Sequence, residues 1–375
     1  MDFTFDDVQR DLRDLARKIL DEQVTTERLK ELEGAGEPYD RRCWADFAGT
    51  NLLGVALPED VGGSGYGLME LCVLLEEVGR HVAPVPLLAT VGMGAVPIAE
   101  LGTAEQRSRF LPPVVAGRSI LTAALQEPGH ADPLAPTTVA ERDGSWWRLD
   151  GEKLGVPYAA LADAILVPVS TGDGSAAVFV VTPDAEGLSI ESATATNGEP
   201  QGHVTLTGVR VDESDALGNP AAPDAETVAW IHDRALAGLC AIAVGVFEKA
   251  VRITAGYLSE RKQFERPIAT FQGATLRAAD AYIDTEAIRV TAWSAIWRLA
   301  AGRDARDQLA IAKFWVADGG QRIAHACQHL HGGIGATTDY PIHRYFTWAK
   351  WLEHTLGGTP DHLLLLGDSV AAGRA

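Results

Sequence analysis

The stretch "RKQFERPIATFQ", residues 261–272, closes one long apolar helix pattern and opens another. It packs Arg261, Lys262 and Arg266 around Gln263, Phe264 and Gln272. One reading makes it a solvated helix end with an aromatic anchor. The other makes it a clamp on an anionic, aromatic ligand, with Arg261 for phosphate, Phe264 for stacking and Gln272 for hydrogen bonds. Residue types alone weigh the two equally.

The flanks are helical. "DRALAGLCAIAVGVFEKAVRITAGYLSE" places Leu236, Leu239, Ala243, Val246 and Ala250 on one face. "DTEAIRVTAWSAIWRLAAG" sets Trp293 over Trp297, and "DARDQLAIAKFWVADGGQRIAHACQ" repeats Leu309, Ala312, Val316 and Ile323. Such helices predict an antiparallel bundle over 221–375. Upstream the period shifts towards two. "SWWRLDG", "AILVPVS", "AAVFVVTP" and "HVTLTGVRV" read as strands, which predicts a β-domain over 119–220, tied to the bundle by "GNPAAPDAET". Residues 1–118 are helical again. There Val8, Leu12, Leu15, Ala16 and Ile19 form a stripe, Thr4 and Asp7 resemble a capping box, and "LMELCVLLEEVGR" is a helix ended by Gly79. The fold class is therefore α+β, in the order helical domain, β-domain, helical bundle.

Composition narrows the function. A net charge of −19 over 375 residues repels nucleic acid and anionic membranes, so neither is expected as a partner. No apolar run reaches bilayer length, and the N-terminus opens acidic, unlike a secretory signal, so a cytoplasmic protein is expected. Cys43, Cys72, Cys240 and Cys327 are scattered and read as small buried side chains. "VGGSGYG", 61–67, has helical flanks, which disfavours a dinucleotide fingerprint and makes it a loop before a helix. In "HLHGGIG", 329–335, His329 and His331 lack a third ligand at metal spacing. The favoured reading is a polar helix end followed by glycines that admit a close approach.

Taken together, "PEDVGGSGYG", "LCVLLEEVGR", "ALQEPGHADP", "LDGEK", "RKQFERPIATFQ" and "HLHGGIGATTDYPIHRYFTWAKWLEHTLGGT" resemble the acyl-CoA dehydrogenase family over nearly the whole chain. "HGGIG", "DYP", "HRY" and "LGGT" are most similar to the actinobacterial branch that includes steroid side-chain dehydrogenases. The resemblance implies a helical domain, a middle β-barrel or sandwich and a C-terminal four-helix bundle. It implies FAD as cofactor and acyl-CoA as substrate, oxidised to the 2,3-enoyl-CoA. It assigns Arg261, Gln263, Phe264, Gln272, Gln328, Gly332 and Gly333 to the adenosine diphosphate end of FAD. Removing the C2 proton then needs a positioned carboxylate.

That carboxylate is missing from both family positions. The residue before "GT" is Gly357, and the alternative position, ten before the glycine matching Gly245, is Ala235. Asp233 lies two residues away, about 200° around the helix. Gln126 stands where the family has Thr or Ser against the flavin ring, and Leu154-Gly155-Val156 replaces its Trp-x-Ser/Thr. No catalytic residue is therefore assigned. In the family each FAD lies at a dimer interface, its ring on one subunit and its adenosine end on the other. A chain that keeps only the second set resembles the partner subunit of a heteromeric dehydrogenase. The alternatives are a self-sufficient homo-oligomer with Asp233 as a displaced base, or a non-redox thioester-binding or scaffold protein. Either oligomer would be a dimer or tetramer.

Overall fold

Asp6 starts the first helix, not Thr4. Its side chain accepts from the N–H of Gln9, and Gln9 returns a bond to the N–H of Asp6, so the capping box lies two residues further on than expected. The computed structural model describes residues 4–129, 132, 134–171, 175–218 and 225–373. In chain order the helices and strands are α1 Asp7–Gln23, α2 Thr26–Ala35, α3 Arg41–Gly49, α4 Leu68–His81, α5 Val96–Leu101 and α6 Ala104–Val115. Then come β1 Leu121–Ala123, β2 Val139–Asp143, β3 Trp146–Pro157, β4 Ala164–Ser170, β5 Ala176–Val181, β6 Leu188–Thr194, β7 Pro200–Asp212 and β8 Ala216–Leu217. The chain closes with α7 Ala225–Glu260, β9 Lys262–Gln263, β10 Arg266–Pro267, α8 Gln272–Ala300, α9 Arg306–His331, α10 Ile342–His354 and α11 Thr359–Ala371. Most of the expected "GNPAAPDAET" link, residues 219–224, lies outside the described residues. Residues 62–67 form the expected loop ahead of α4.

Two compact units result: residues 1–35, 72–83 and 236–375, and residues 36–71 and 84–235. The second unit holds a sheet in the order β6-β7-β3-β2-β4-β5-β8, with β1 pairing β4 off this path. β1 and β2 run parallel to β4, and the other pairs are antiparallel. β4 and β5 are buried along almost their whole length, so they read as continuous apolar runs rather than alternations. A π-helical segment, residues 88–95, lies directly on β1: a β-carbon on Gly94 would stand 2.4 Å from Leu121 Cβ.

The first unit is helical, and backbone contact sets its geometry. Gly79 does not end α4, which runs on to His81. A β-carbon there would meet the carbonyl oxygen of Ile242 at 2.0 Å, and one on Gly245 would meet that of Glu76 at 1.9 Å. Glycine is required at this crossing of α4 and α7 because the two backbones touch. The expected faces of α7 and α9 are buried: Leu236, Leu239, Ala243, Val246 and Ala250 on one, Leu309, Ala312, Val316 and Ile323 on the other. On α1 the stripe turns outward at Val8 and Leu15, and Ala16 and Leu20 carry the burial. The expected Trp293–Trp297 stack does not form. Trp293 meets Phe5 edge-on at 5.0 Å and donates to Glu76 at 3.0 Å, while Trp297 lies under Arg303 at 4.8 Å.

Glu76 belongs to a buried ion network. Arg80 bonds Glu76 (2.8 Å), Glu77 (3.1 Å) and Glu248 (2.7 Å), Arg289 reaches Glu248 at 2.8 Å, and Arg17 reaches Glu77 at 2.6 Å. Hydrogen bonds from the two arginines hold Glu248 well below the usual carboxylate range against the cost of burial, whereas burial outweighs the neighbouring cations at Glu76 and raises its pKa. All four cysteines are buried and unbridged.

Candidate functional site

All seven residues expected to hold a cofactor lie in the helical unit, on the segments that close and open its long helices. α7 ends at Glu260, and the chain folds back as a hairpin in which Gln263 pairs with Arg266. The two residues between them, Phe264 (φ 51°) and Glu265 (φ 66°), are both left-handed. A two-residue hairpin turn demands this conformation, usually from Asn or Gly. Here it falls on an aromatic and a carboxylate, at roughly 1–2 kcal/mol each. The turn projects Phe264 outward, 88% exposed, with Phe271 edge-on at 6.2 Å and Arg266 over Phe271 at 4.2 Å. Arg261, Gln263 and Gln272 are exposed, and the Arg261 guanidinium has no partner among the described residues.

α8 and α9 pack against each other, and the far end of α9 brings the rest of the set. Gln328 donates from Nε2 to the Gly335 carbonyl at 2.6 Å, while its Oε1 is buried with no partner among the described residues. His331 is buried. Its Nδ1 donates to the Cys327 carbonyl at 2.8 Å, its ring lies 4.6 Å from Tyr257 and 5.0 Å from Tyr340, and burial lowers its pKa. Its Nε2 is a second buried orphan. His329 is exposed. Gly332 turns with φ 60°, and a β-carbon on Gly332 or Gly333 would meet nothing within 4 Å. A groove of about 820 Å³ between α8 and α9 is lined by Gly273, Arg277 and Asp280 on one side and Arg322 and His325 on the other. An unpaired guanidinium and open glycine backbone can donate to a diphosphate, an exposed aromatic can stack on a base, and the unmet Gln328 Oε1 can accept from a hydroxyl or amino group.

In the sheet unit, Gln126 and Leu154 are joined by a single antiparallel bridge, Leu154 N–H to the Gln126 carbonyl at 2.9 Å. The register of β3 slips between Lys153 and Val156, with Gly155 at φ 57°, so Leu154 and Gly155 form a bulge while Val156 turns inward. Glu127 and Lys153 hold this region from beneath. Lys153 donates to Glu127 at 2.6 Å, and Glu127 also accepts from Thr137 and Thr138. Lys153 and these hydrogen bonds hold the Glu127 carboxyl down to about 2 despite burial. Sequence reading missed this pair, although a lysine in an otherwise core-facing strand register was its signal.

Neither candidate base position holds a carboxylate. Ala235 is fully buried. Asp233, largely buried, stands 3.7 Å from His232 Nδ1. Gly357 sits at φ 94° behind Leu356 at φ 56°. A β-carbon there would lie 3.0 Å from His362 Nε2. Asp361, the first carboxylate beyond, accepts from the Gly358 N–H at 2.7 Å and caps α11. Lys313 and His362, unmarked in the sequence, both bond carbonyls of this turn. Lys313 was legible in principle: it stands four after Leu309 and three before Val316, on the buried face of α9.

Residues 6–118 match the model of the acyl-CoA dehydrogenase N-terminal domain, and residues 232–369 that of the acyl-CoA dehydrogenase C-terminal domain. The chain is 36% identical to acyl-CoA dehydrogenase FadE27 of Mycobacterium tuberculosis, over 99% of both chains. It is 42% identical to FadE28 of the same organism, over 86% of this chain and 91% of that one. Among solved structures it matches the ChsE4-ChsE5 complex from Mycobacterium tuberculosis with a TM-score of 0.93 and 36% identity, covering 99% of each chain. It matches a variant of the Tcur3481-Tcur3483 steroid ACAD with a TM-score of 0.90 and 46% identity, covering 97% of this chain and 98% of that one. No helix among the described residues is long and apolar enough to cross a membrane. With both domain models matched and the full length shared, the chain belongs to the acyl-CoA dehydrogenase family, a family of FAD-dependent oxidoreductases.

Proposed function

We propose that this chain is the partner subunit of a heteromeric FAD-dependent acyl-CoA dehydrogenase, holding the adenosine diphosphate end of a flavin whose ring is served by a homologous subunit. The observation that carries the reading is the exposed pair Arg261 and Phe264, the guanidinium without a partner among the described residues, together with the unmet Oε1 of Gln328, in a chain with no carboxylate at Gly357 or Ala235. Arg261 meets the pyrophosphate, Phe264 covers the adenine, and the open backbone at Gly332 and Gly333 admits the phosphates closely. Gln263, Gln272 and Gln328 supply amide hydrogen bonds at its edges. Bound FAD supplies the hydride chemistry of the 2,3-dehydrogenation. The C2 proton goes to a carboxylate of the homologous subunit, since removing it needs a positioned base.

The relatives support the assembly and the substrate class, because two of the matching structures are named as complexes or paired chains and one as a steroid ACAD. We accordingly assign the acyl-CoA of a steroid side chain as substrate, three domains at 1–118, 119–220 and 221–375, and a dimer or tetramer in the cytoplasm. Exposed apolar residues on α8 (Leu276, Ile283, Val290) and α11 (Leu364, Val370) fit burial in that assembly. Expression alone and together with its genomic neighbours is the test. FAD co-purifies with the complex and not with the lone chain. A lone chain that elutes as a monomer in every co-expression, or that retains stoichiometric FAD by itself, overturns the reading.

A further inference from the structure

We propose that Lys313 is the positioning residue of the 353–358 turn, the segment that stands where the family carries its base. The proposal is independent of the partner-subunit reading. Lys313 is 0% exposed, in the middle of α9. No carboxylate bonds its Nζ among the described residues. It donates instead to two backbone carbonyls, those of Glu353 at 3.2 Å and of Gly357. Both belong to the C-terminal end of α10 or the turn beyond it, where helix carbonyls lack intrahelical donors and the helix dipole favours a cation.

The turn is otherwise costly to hold. Leu356 and Gly357 are consecutively left-handed, at φ 56° and 94°. Its remaining polar groups are met by other side chains: the Leu356 carbonyl by His362 Nε2 at 3.0 Å and the Gly358 N–H by Asp361 at 2.7 Å. Among the described residues, Lys313 is the side chain of α9 that hydrogen-bonds this turn, and it joins the Glu353 carbonyl in the last turn of α10 to that of Gly357. A lysine has the length to span that gap, and two donated bonds are available to either the ammonium or the neutral amine.

The arrangement predicts a pH signature that simple packing does not. Burial lowers the Lys313 pKa to about 8. The titratable groups facing it are Cys240 on α7, Glu353 on α10 and Asp361 and His362 on α11. Burial pushes the Cys240 thiol up to about 12, clear of the window. Opening the turn hydrates Nζ and returns it towards its ordinary value of about 10.4, so opening takes up a proton. Raising the pH from 7.5 to 9.5 therefore disfavours opening, by roughly tenfold.

Hydrogen exchange read by mass spectrometry on the full chain tests this, with rates corrected for intrinsic pH dependence. In the native chain, protection of residues 353–358 rises about tenfold from pH 7.5 to 9.5, while protection of β4 and β5 does not change. In Lys313→Met, which keeps the volume and removes the donor, protection of 353–358 falls at least tenfold and loses its pH dependence. Protection in the variant within twofold of the native value overturns the proposal. So does loosening spread evenly over the chain, which would mark a merely structural lysine. If the variant does not fold, the native pH series decides alone, and a flat series there overturns it. The measurement uses neither flavin nor partner, so its failure leaves the partner-subunit reading standing.

Discussion

Two turns of the helical unit share a strained backbone and differ in everything else. At 264–265 two non-glycine residues are left-handed, the side chain of Phe264 stands 88% exposed, and the nearby Arg261 guanidinium has no partner among the described residues. At 356–357 the backbone is left-handed again, but Leu356 is buried and Lys313, His362 and Asp361 meet the polar groups around it. The first turn holds a guanidinium with no partner among the described residues, which leaves it available to another molecule. The second is satisfied from within and leaves no side chain at its apex. On the proposed reading, the first turn serves the cofactor and the second, where the family carries its base, serves only the fold.

The largest effect that would break this contrast is activity. Given acyl-CoA and an artificial electron acceptor, the lone chain turns over near background, since losing a general base costs about 10²–10⁴-fold. Gly357→Glu does not recover it. The new β-carbon meets φ 94° and a His362 nitrogen 3.0 Å away, and the partner's half of the site is still absent. Robust turnover by the lone chain, abolished by Asp233→Asn, would instead make Asp233 a displaced base.

Next comes the pH dependence of stability at the fixed turn. The folded pKa of Lys313 is depressed to about 8 by burial, so between pH 8 and about 10.4 the unfolded chain binds more protons and stability rises with pH. Against Lys313→Met, urea unfolding followed on the helical unit should show the native chain gaining about 2.5 kcal/mol across that window. A constant difference would mean that the lysine is not buried as a titrating group.

Substitutions at the two strained turns sharpen the comparison because their signs differ. Leu356→Gly relaxes its φ but deletes a buried side chain, and destabilises by about 2–4 kcal/mol. Arg261→Ala leaves the stability of the lone chain within about 0.5 kcal/mol. In the assembled complex it weakens flavin retention by roughly 1.5–3 kcal/mol per lost charge-assisted bond. Unchanged flavin content there would reduce Arg261 to a surface arginine. Glu265→Gly is the smallest effect: left-handed relief of roughly 1–2 kcal/mol, offset by roughly 0.5–1 for glycine's extra freedom, gives a slight gain in thermal stability.

What the sequence made legible followed local chemistry. β4 and β5 could be read from their β-branched runs and α7 and α9 from their apolar spacing, whereas the hairpin between α7 and α8 could not, because its turn holds Phe264 and Glu265 in place of the usual Asn or Gly. The misreadings share one cause. Gly79 looked like a helix stop because a glycine inside a helix is locally unfavourable, and only the backbone of Ile242 behind it explains its place. Trp293 and Trp297 have helix-neighbour spacing, but Phe5, Glu76 and Arg303 offered each a better contact. The burial of Lys313 could be read from its place on the apolar face of α9, but its partners could not, because they are carbonyls some forty residues away and backbone acceptors leave no mark in a sequence.

The glycine crossing of α4 and α7 has a consequence for anyone mapping this chain by mutation. Gly79 and Gly245 each face a backbone atom at a distance where no β-carbon fits. In a saturation library both positions would therefore reject every other residue, alanine included, and would score with the most intolerant sites in the molecule. Ranked by intolerance alone they would pass for catalytic residues, although a glycine has no side chain with which to do chemistry. Separating soluble yield from activity per folded molecule would return them to their place as the point where two helices touch.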